Sequence, residues 1–252
     1  MASATGIPER HPATITNGNN SDDTRSEHEP LLGQHGDVSQ KNDQNIVHNL
    51  LLGTASVAQA GIWILAAIVW NGVFTHDLIF FSPHPLLNST AVLLTTQAIL
   101  ILQPTHTPSQ KRTGTLTHFA LHALANTLFL SALIIIEINK STHPETRFTS
   151  IHGILGLTTY ILILLQAGVG VAQYFFPAQV FGSVDKGKGV YKWHRLSGYL
   201  LLGLELVTIA AATGTAYNRS TLHIRLWAVV VAIVLVVAGV GARAKRAKLP
   251  RW

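Results

Sequence analysis

The sequence predicts an all-α membrane protein with six transmembrane helices. Six apolar runs, at about 49–70, 83–103, 116–137, 150–174, 192–216 and 222–241, follow one another through short connections. Each has the ~18–25 residues that carry a helix across a ~30 Å hydrocarbon core. Charged residues make up only 12% of the 252-residue chain against 48% hydrophobic ones, too apolar a balance for an ordinary soluble surface. The lysines and arginines crowd the ends of the apolar runs. The net charge of +6 therefore reads as membrane orientation and contact with anionic lipid, not as nucleic-acid binding.

Taken in order, residues 1–46 are polar, lack a core-forming pattern and read as a disordered tail. No apolar stretch follows the first residues, so no signal peptide is expected. Within the tail, Glu27-His28-Glu29-Pro30-Leu31-Leu32 resembles an acidic dileucine sorting signal. The membrane domain occupies 47–242 and a basic tail 243–252. Ser82 with Pro83 has the chemistry of a cap and first turn for the second helix. The N-terminal tail, the 104–115 loop, the 175–195 segment and the C-terminal tail hold 14 of the 18 basic residues. Only Lys140, Arg147, Arg219 and Arg225 fall on the other side, which predicts both termini in the cytosol. Two sequons, at Asn139 and Asn218, lie on that other side, as a lumenal or exterior face would have them; a third, at Asn88, lies inside an apolar run.

Four histidines stand at or near the starts of four apolar runs: His84, His118, His152 and His194. Ionisable side chains in membrane helices need a function or a buried partner. Because consecutive helices are antiparallel, His84 and His152 share one side of the bilayer, and His118 and His194 the other. Two imidazoles at equal depth on two helices suit the two axial positions of one haem iron, and the chain supplies such a pair twice. There is no cysteine, and the only methionine is Met1. That excludes disulfides, iron–sulfur clusters and covalently attached haem, and leaves histidine, with tyrosine as the alternative, for the axial ligands. Two layers a turn inside each surface stand roughly 20 Å apart. The expected architecture is a central four-helix bundle holding two haems. His122, four residues after His118, lies on the same helix face, so depth alone leaves the two as alternatives.

These motifs resemble the cytochrome b561 family of transmembrane ascorbate-dependent reductases, over about residues 49–241. His84-Pro85 is similar to the family's His-Pro opening of its second helix. Ser150-Ile151-His152-Gly153-Ile154-Leu155-Gly156 is similar to its Ser-Leu-His-x-x-x-Gly. His194-Arg195-Leu196-Ser197-Gly198 is similar to its His-x-x-x-Gly. Leu165 to Gly170, with Phe176-Pro177, looks like its small two-haem members. The resemblance implies two b-type haems on His84/His152 and His118/His194, with His118 preferred to His122. It implies cytosolic ascorbate as electron donor and monodehydroascorbate or ferric iron as acceptor, a homodimer as the frequent state, and a role in electron exit for the loop His143. The chain departs from the pattern at Thr115, where many members carry an ascorbate-holding lysine; Lys111 and Arg112, a turn earlier, are the replacements. With Lys188, Lys192 and Arg195 they form an electropositive mouth for an ascorbate anion. The sorting signal and the sequons together point to a vacuolar or endosomal membrane.

The competing reading is a proton- or metal-coupled transporter using the same histidines. It requires carboxylates beside them near the midplane and broken helices, and only Glu205 answers that description.

Overall fold

The computed structural model describes residues 38–41, 43–142, 144–245 and 248–250. The dileucine motif, His143 and Arg246 lie outside the described residues. Seven α-helices follow in order: α1 (Ala55–Phe74), α2 (Pro83–Leu102), α3 (Pro108–Ser141), α4 (Ile151–Phe175), the short α5 (Pro177–Phe181), α6 (Val184–Ala212) and α7 (Leu226–Gly241). No strand occurs among the described residues. Five of them, α1, α2, α3, α4 and α6, are long and apolar enough to cross a membrane. The sixth apolar run is shorter than expected, because α7 has only 16 residues. A π-turn at Asn218–Leu222 and a left-handed His223 (φ 52°) occupy the start of the predicted run.

The first run also starts later than its hydropathy suggests. A 3₁₀ turn, Ile46–Leu50, precedes α1, and Asn49 within it is buried. The Asn49 amide donates to Ile101 O (2.8 Å) and Gln40 Oε1 (3.0 Å), so the packed structure reaches back to Gln40. Two helices begin well before their apolar runs. Thr107 and Gln110 form a capping box that starts α3 at Pro108, and Ser183 accepts from Lys186 N to start α6 at Val184. His118 and His194 therefore sit ten residues inside their helices, whereas His84 and His152 each occupy the second position of theirs. Ser82 stands at the N-cap of α2 without capping it by side chain. The third helical residue is Pro85, which has no N–H to offer, and Ser82 Oγ accepts from Ile79 N instead (2.9 Å).

Side-chain size explains the tightest contact. A Cβ on Gly239 of α7 would meet Ala58 N of α1 at 2.4 Å, and one on Gly61 would meet Ala232 O at 2.6 Å. Small residues let these two backbones approach, as apolar helices need where lipid gives no hydrophobic drive. The α1/α7 pair packs through α1 against α2. At the Lys/Arg-rich end, Arg243 is 2% exposed and donates through Nη2 to Leu100 O (3.2 Å), one of the last carbonyls of α2. Burial lowers its guanidinium to about 10, with Tyr199 pulling the other way.

Candidate functional site

The four helices that carry the histidines form two close pairs, α2 with α3 and α4 with α6. The pairs touch one another only sparingly, through α3 with α4 and α2 with α6. A cleft runs between them, and the histidines line it from both sides.

At one level, His84 of α2 and His152 of α4 face each other with ring centres 6.4 Å apart and planes at 85°. At the other, His118 and His122 of α3 have ring centres 4.4 Å apart, and His194 of α6 lies within electrostatic reach of both. The structure thus brings His84 to His152, and His194 near both His118 and His122.

Three of the rings are held in the same way. His84 Nδ1 donates to Ala132 O (3.0 Å), His118 Nδ1 to Ala98 O (3.0 Å) and His152 Nδ1 to Thr208 O (2.9 Å). A carbonyl only accepts, so each Nδ1 carries the proton and each Nε2 keeps its lone pair; at His84 the Asn88 amide nitrogen stands 3.5 Å from Nε2. That is the tautomer and orientation a metal-ligating imidazole needs. His194 differs: its Nδ1 is buried without a partner among the described residues, while its backbone carbonyl accepts from Gln166 Nε2 (2.7 Å). No hydrogen bond engages the His122 ring among the described residues.

The carbonyl partners also measure the spacing of the levels. Ala98 stands fourteen residues beyond His84 on α2, Ala132 fourteen beyond His118 on α3, and Thr208 fourteen beyond His194 on α6. At 1.5 Å per residue the levels are about 21 Å apart.

Glycines keep the cleft clear. A Cβ on Gly170 of α4 would meet His194 Cε1 at 3.0 Å, and one on Gly156, a turn beyond His152, would meet nothing within 4 Å. Asn88, a turn beyond His84, accepts from Tyr160 Oη (2.9 Å) and donates to His84 O (2.8 Å). Its sequon is therefore committed to packing. The Asn218 sequon is too: the residue is buried, its Nδ2 donating to Thr213 O and Ile224 O. A glycan at Asn218 is incompatible with this structure.

The predicted basic mouth is distributed over two helices. Lys111 and Arg112 lie in the first turn of α3, and Lys188, Lys192 and Arg195 in the first half of α6. Arg112 and Lys192 are exposed. Lys188 pairs with Asp185 (3.0 Å), and Arg195 donates through Nη1 to the carbonyl of Lys248. Glu205 is buried in α6, with Oε2 unpartnered among the described residues. Phe81 escaped sequence reasoning; it stacks on His84 at 5.1 Å between ring centres and meets Tyr217 edge-on at 5.0 Å.

The model of the eukaryotic cytochrome b561 family matches residues 83–218, more than half of the chain and all four cleft-lining histidine positions. The chain belongs to the eukaryotic cytochrome b561 family. It is 28% identical over 156 residues to ascorbate-specific transmembrane electron transporter 2 of Zea mays, covering 60% of this chain and 64% of that protein, just under two thirds of its length. It is 26% identical over 178 residues to the transmembrane ascorbate-dependent reductase CYB561 of Sus scrofa, covering 69% and 70%. A putative transmembrane ascorbate-dependent reductase CYB561 homolog of Caenorhabditis elegans is 25% identical over 197 residues, covering 71% and 72%. Family membership and the apolar helices make this an integral membrane protein.

A cytochrome b561 implies b-type haem, and the cleft fits one. Two metal–imidazole bonds of about 2 Å in line, with roughly 1 Å from each nitrogen to its ring centre, set trans imidazoles roughly 6 Å apart. The 6.4 Å between His84 and His152 meets that spacing. Among the described residues no three His, Cys, Asp or Glu side chains converge to hold a bare metal ion.

Proposed function

We propose that this cytochrome b561 moves single electrons across a membrane, from cytosolic ascorbate to an acceptor on the far side. The carrying observation is the shared locking of His84, His118 and His152, each with Nδ1 spent on a carbonyl and Nε2 left for a metal. In this reading His84 and His152 hold one b-type haem and His118 and His194 a second. Bound haem would supply one-electron chemistry, and these four imidazoles are the residues that would hold it.

The chain's own contribution is to fix four imidazoles, exclude water from the cleft and gather an anion at its basic end. Arg112 of α3 and Lys192 of α6, both exposed toward the basic end from the His118/His194 level, attract the ascorbate anion together with Lys111; Lys188 and Arg195 lend charge while anchored to Asp185 and Lys248. The acceptor is monodehydroascorbate or ferric iron. Both termini are cytosolic in this reading, since 14 of 18 basic residues lie at their end of the helices, and the membrane is vacuolar or endosomal. The names of the maize, pig and nematode relatives favour ascorbate-driven electron transfer over a transporter.

The test is haem content and ascorbate reduction of the purified protein. Pyridine haemochrome assay should give two haems per chain, both reduced when ascorbate is added. One haem in fully loaded protein ends the two-layer reading, and haem that ascorbate leaves oxidised ends the donor assignment.

A further inference from the structure

Between the two histidine levels, one polar side chain reaches across the cleft. Tyr160 of α4 is buried, and it stands eight residues beyond His152 on a helix where the levels are fourteen residues apart. Helix side chains lean toward the N-terminus, so its ring leans back toward the His152 level. The hydroxyl donates to Asn88 Oδ1 of α2 (2.9 Å), and the ring meets Phe129 of α3 edge-on, with centres 6.2 Å apart. The residue before it, Thr159, joins its hydroxyl to that of Thr208 (3.1 Å), whose carbonyl holds His152. One turn of α4 is thus tied to both imidazoles of this level, to His152 through Thr208 and to His84 through Asn88.

Tyr160 fixes the way the Asn88 amide faces. Oδ1 accepts from the hydroxyl while Nδ2 donates to His84 O (2.8 Å). A flipped amide would set Oδ1 against that carbonyl, two acceptors together, so the network admits one orientation. Nδ2 then stands 3.4 Å from His84 Nδ1 and 3.5 Å from Nε2. An in-plane atom equally far from both would run into Cε1, so Nδ2 lies over the ring, and the Nε2 lone pair stays open to a metal. The positive end of the amide dipole therefore rests against this imidazole. A turn beyond His118, His152 and His194 the chain has His122, Gly156 and Gly198 instead, so no other histidine of the cleft carries an amide at that place.

We infer that Asn88 and Tyr160 are a positioning pair that raises the reduction potential of the haem at the His84/His152 level. The inference rests on the proposed reading of those two histidines as axial ligands. Donation from Nδ1 to Ala132 O makes the His84 ring more basic and favours ferric iron. A fixed dipole with its positive end on the same ring opposes positive charge at the iron and favours the ferrous state. Both His84 and Asn88's partner Tyr160 are buried, where such a dipole is little screened. His118 and His152 have the carbonyl without the amide, so the effect falls on one level alone. An electron that has crossed from the basic end is held more firmly there. Tyr160 acts through Asn88, the partner of its hydroxyl.

Equilibrium redox titration of the purified full-length holoprotein, followed optically, reads the potentials without any substrate turnover. Tyr160→Phe keeps the ring against Phe129 and removes only the hydroxyl. Asn88→Leu removes the amide at similar volume. Each should shift the midpoint of the His84/His152 haem downward and leave the other midpoint where it is. The double variant should shift no further than Asn88→Leu alone, because the hydroxyl acts through the amide. Trp70→Phe is the control. It breaks a hydrogen bond from α1 to Ser89 (3.0 Å), the next residue of α2, and should lower thermal stability with both midpoints kept. A pair that only packs helices would behave like Trp70. Unmoved midpoints in haem-loaded Tyr160→Phe therefore overturn the inference, as does an upward shift or a shift at the other haem. A double variant that shifts further than Asn88→Leu overturns the pairing. His84→Ala marks which step belongs to this level. If it leaves both steps in place, the ligand reading fails. If it removes one step and Tyr160→Phe leaves that step unmoved, the ligand reading stands and this inference falls.

Discussion

His118 and Ala98 join α3 to α2 by a 3.0 Å hydrogen bond from imidazole Nδ1 to a main-chain carbonyl. The same two helices are joined again, fourteen residues along each, by His84 and Ala132 at 3.0 Å. One antiparallel register therefore fixes both histidines, their tautomers and their separation of about 21 Å. Thr208 does the same for His152 from α6. A carbonyl is the right partner for a permanent lock, because it cannot be titrated or rotated away while the helix persists.

In the proposed reading the two histidine levels hold separate haems, which single substitutions should tell apart. His194→Ala should lose or convert to high-spin the haem at the basic end, leaving the His84/His152 haem low-spin. His84→Ala should do the reverse. Haem content and electron paramagnetic resonance of the two variants check this. Reduction by ascorbate from the basic side should slow sharply in His194→Ala, because electrons then lack their first acceptor. If His194→Ala leaves both haems low-spin and reducible, the pairing across the cleft is wrong.

Gly170 gives a test that touches no histidine. Its position leaves only 3.0 Å between an added Cβ and His194 Cε1, so Gly170→Val must tilt that ring or close the cleft. The expected result is loss of the haem at the basic end with the other retained. Gly156→Leu projects into open space a turn beyond His152 and should act on the opposite haem. Optical spectra of both variants, read beside His194→Ala and His84→Ala, decide whether each glycine belongs to the level assigned to it.

The helix pair outside the cleft should fail differently. Gly239→Val brings a Cβ to within 2.4 Å of Ala58 N, a backbone atom that cannot step aside. Overpacking of this kind costs about 1–3 kcal/mol. Thermal unfolding in detergent should therefore shift down, while the haem spectrum at low temperature stays that of the wild type. Loss of haem before loss of helix in Gly239→Val would show that α1 and α7 shape the cleft itself.

Much of this was legible in the sequence, and the reasons differ by feature. The pairing of His84 with His152 followed from antiparallel order alone. The starts of α3 and α6 lie ahead of their apolar runs because polar first turns, capped by Thr107 with Gln110 and by Ser183, extend the helices. Hydropathy sees the membrane, whereas capping sets the helix. The start of α7 lies inside its apolar run for the opposite reason: the first residues of that run are spent on the Asn218 hydrogen bonds and the left-handed His223. The locks on Ala98, Ala132 and Thr208 left no mark, since every residue type supplies the same carbonyl. Phe81 and Tyr217 are 136 residues apart, and only the register of α2 against α6 brings them together.

The sorting motif can be tested without regard to the cleft. Leu31→Ala/Leu32→Ala should move the protein from a vacuolar or endosomal membrane to the cell surface, as seen by microscopy of tagged protein. Haem content should stay at the wild-type value, because the substitutions touch none of the four histidines or their carbonyl partners. Unchanged localisation removes the sorting role and leaves the cytochrome intact.

The choice between His118 and His122 is the sharpest test of the locking argument. The two rings are 4.4 Å apart, so either is near His194. They differ in one respect that matters to a metal. His118 has its Nδ1 proton committed to Ala98 O, which aims Nε2 and raises its basicity, while the His122 ring has no such partner among the described residues. His118→Ala should therefore lose the haem at the basic end as completely as His194→Ala does. His122→Ala should keep it, with a displaced reduction potential, since a neighbouring ring is removed from beside the ligand. Haem content and redox titration of the two variants, measured side by side, give the answer. If His122→Ala loses the haem and His118→Ala keeps it, hydrogen-bonded locking does not select the ligand at this level, and the assignment passes to His122.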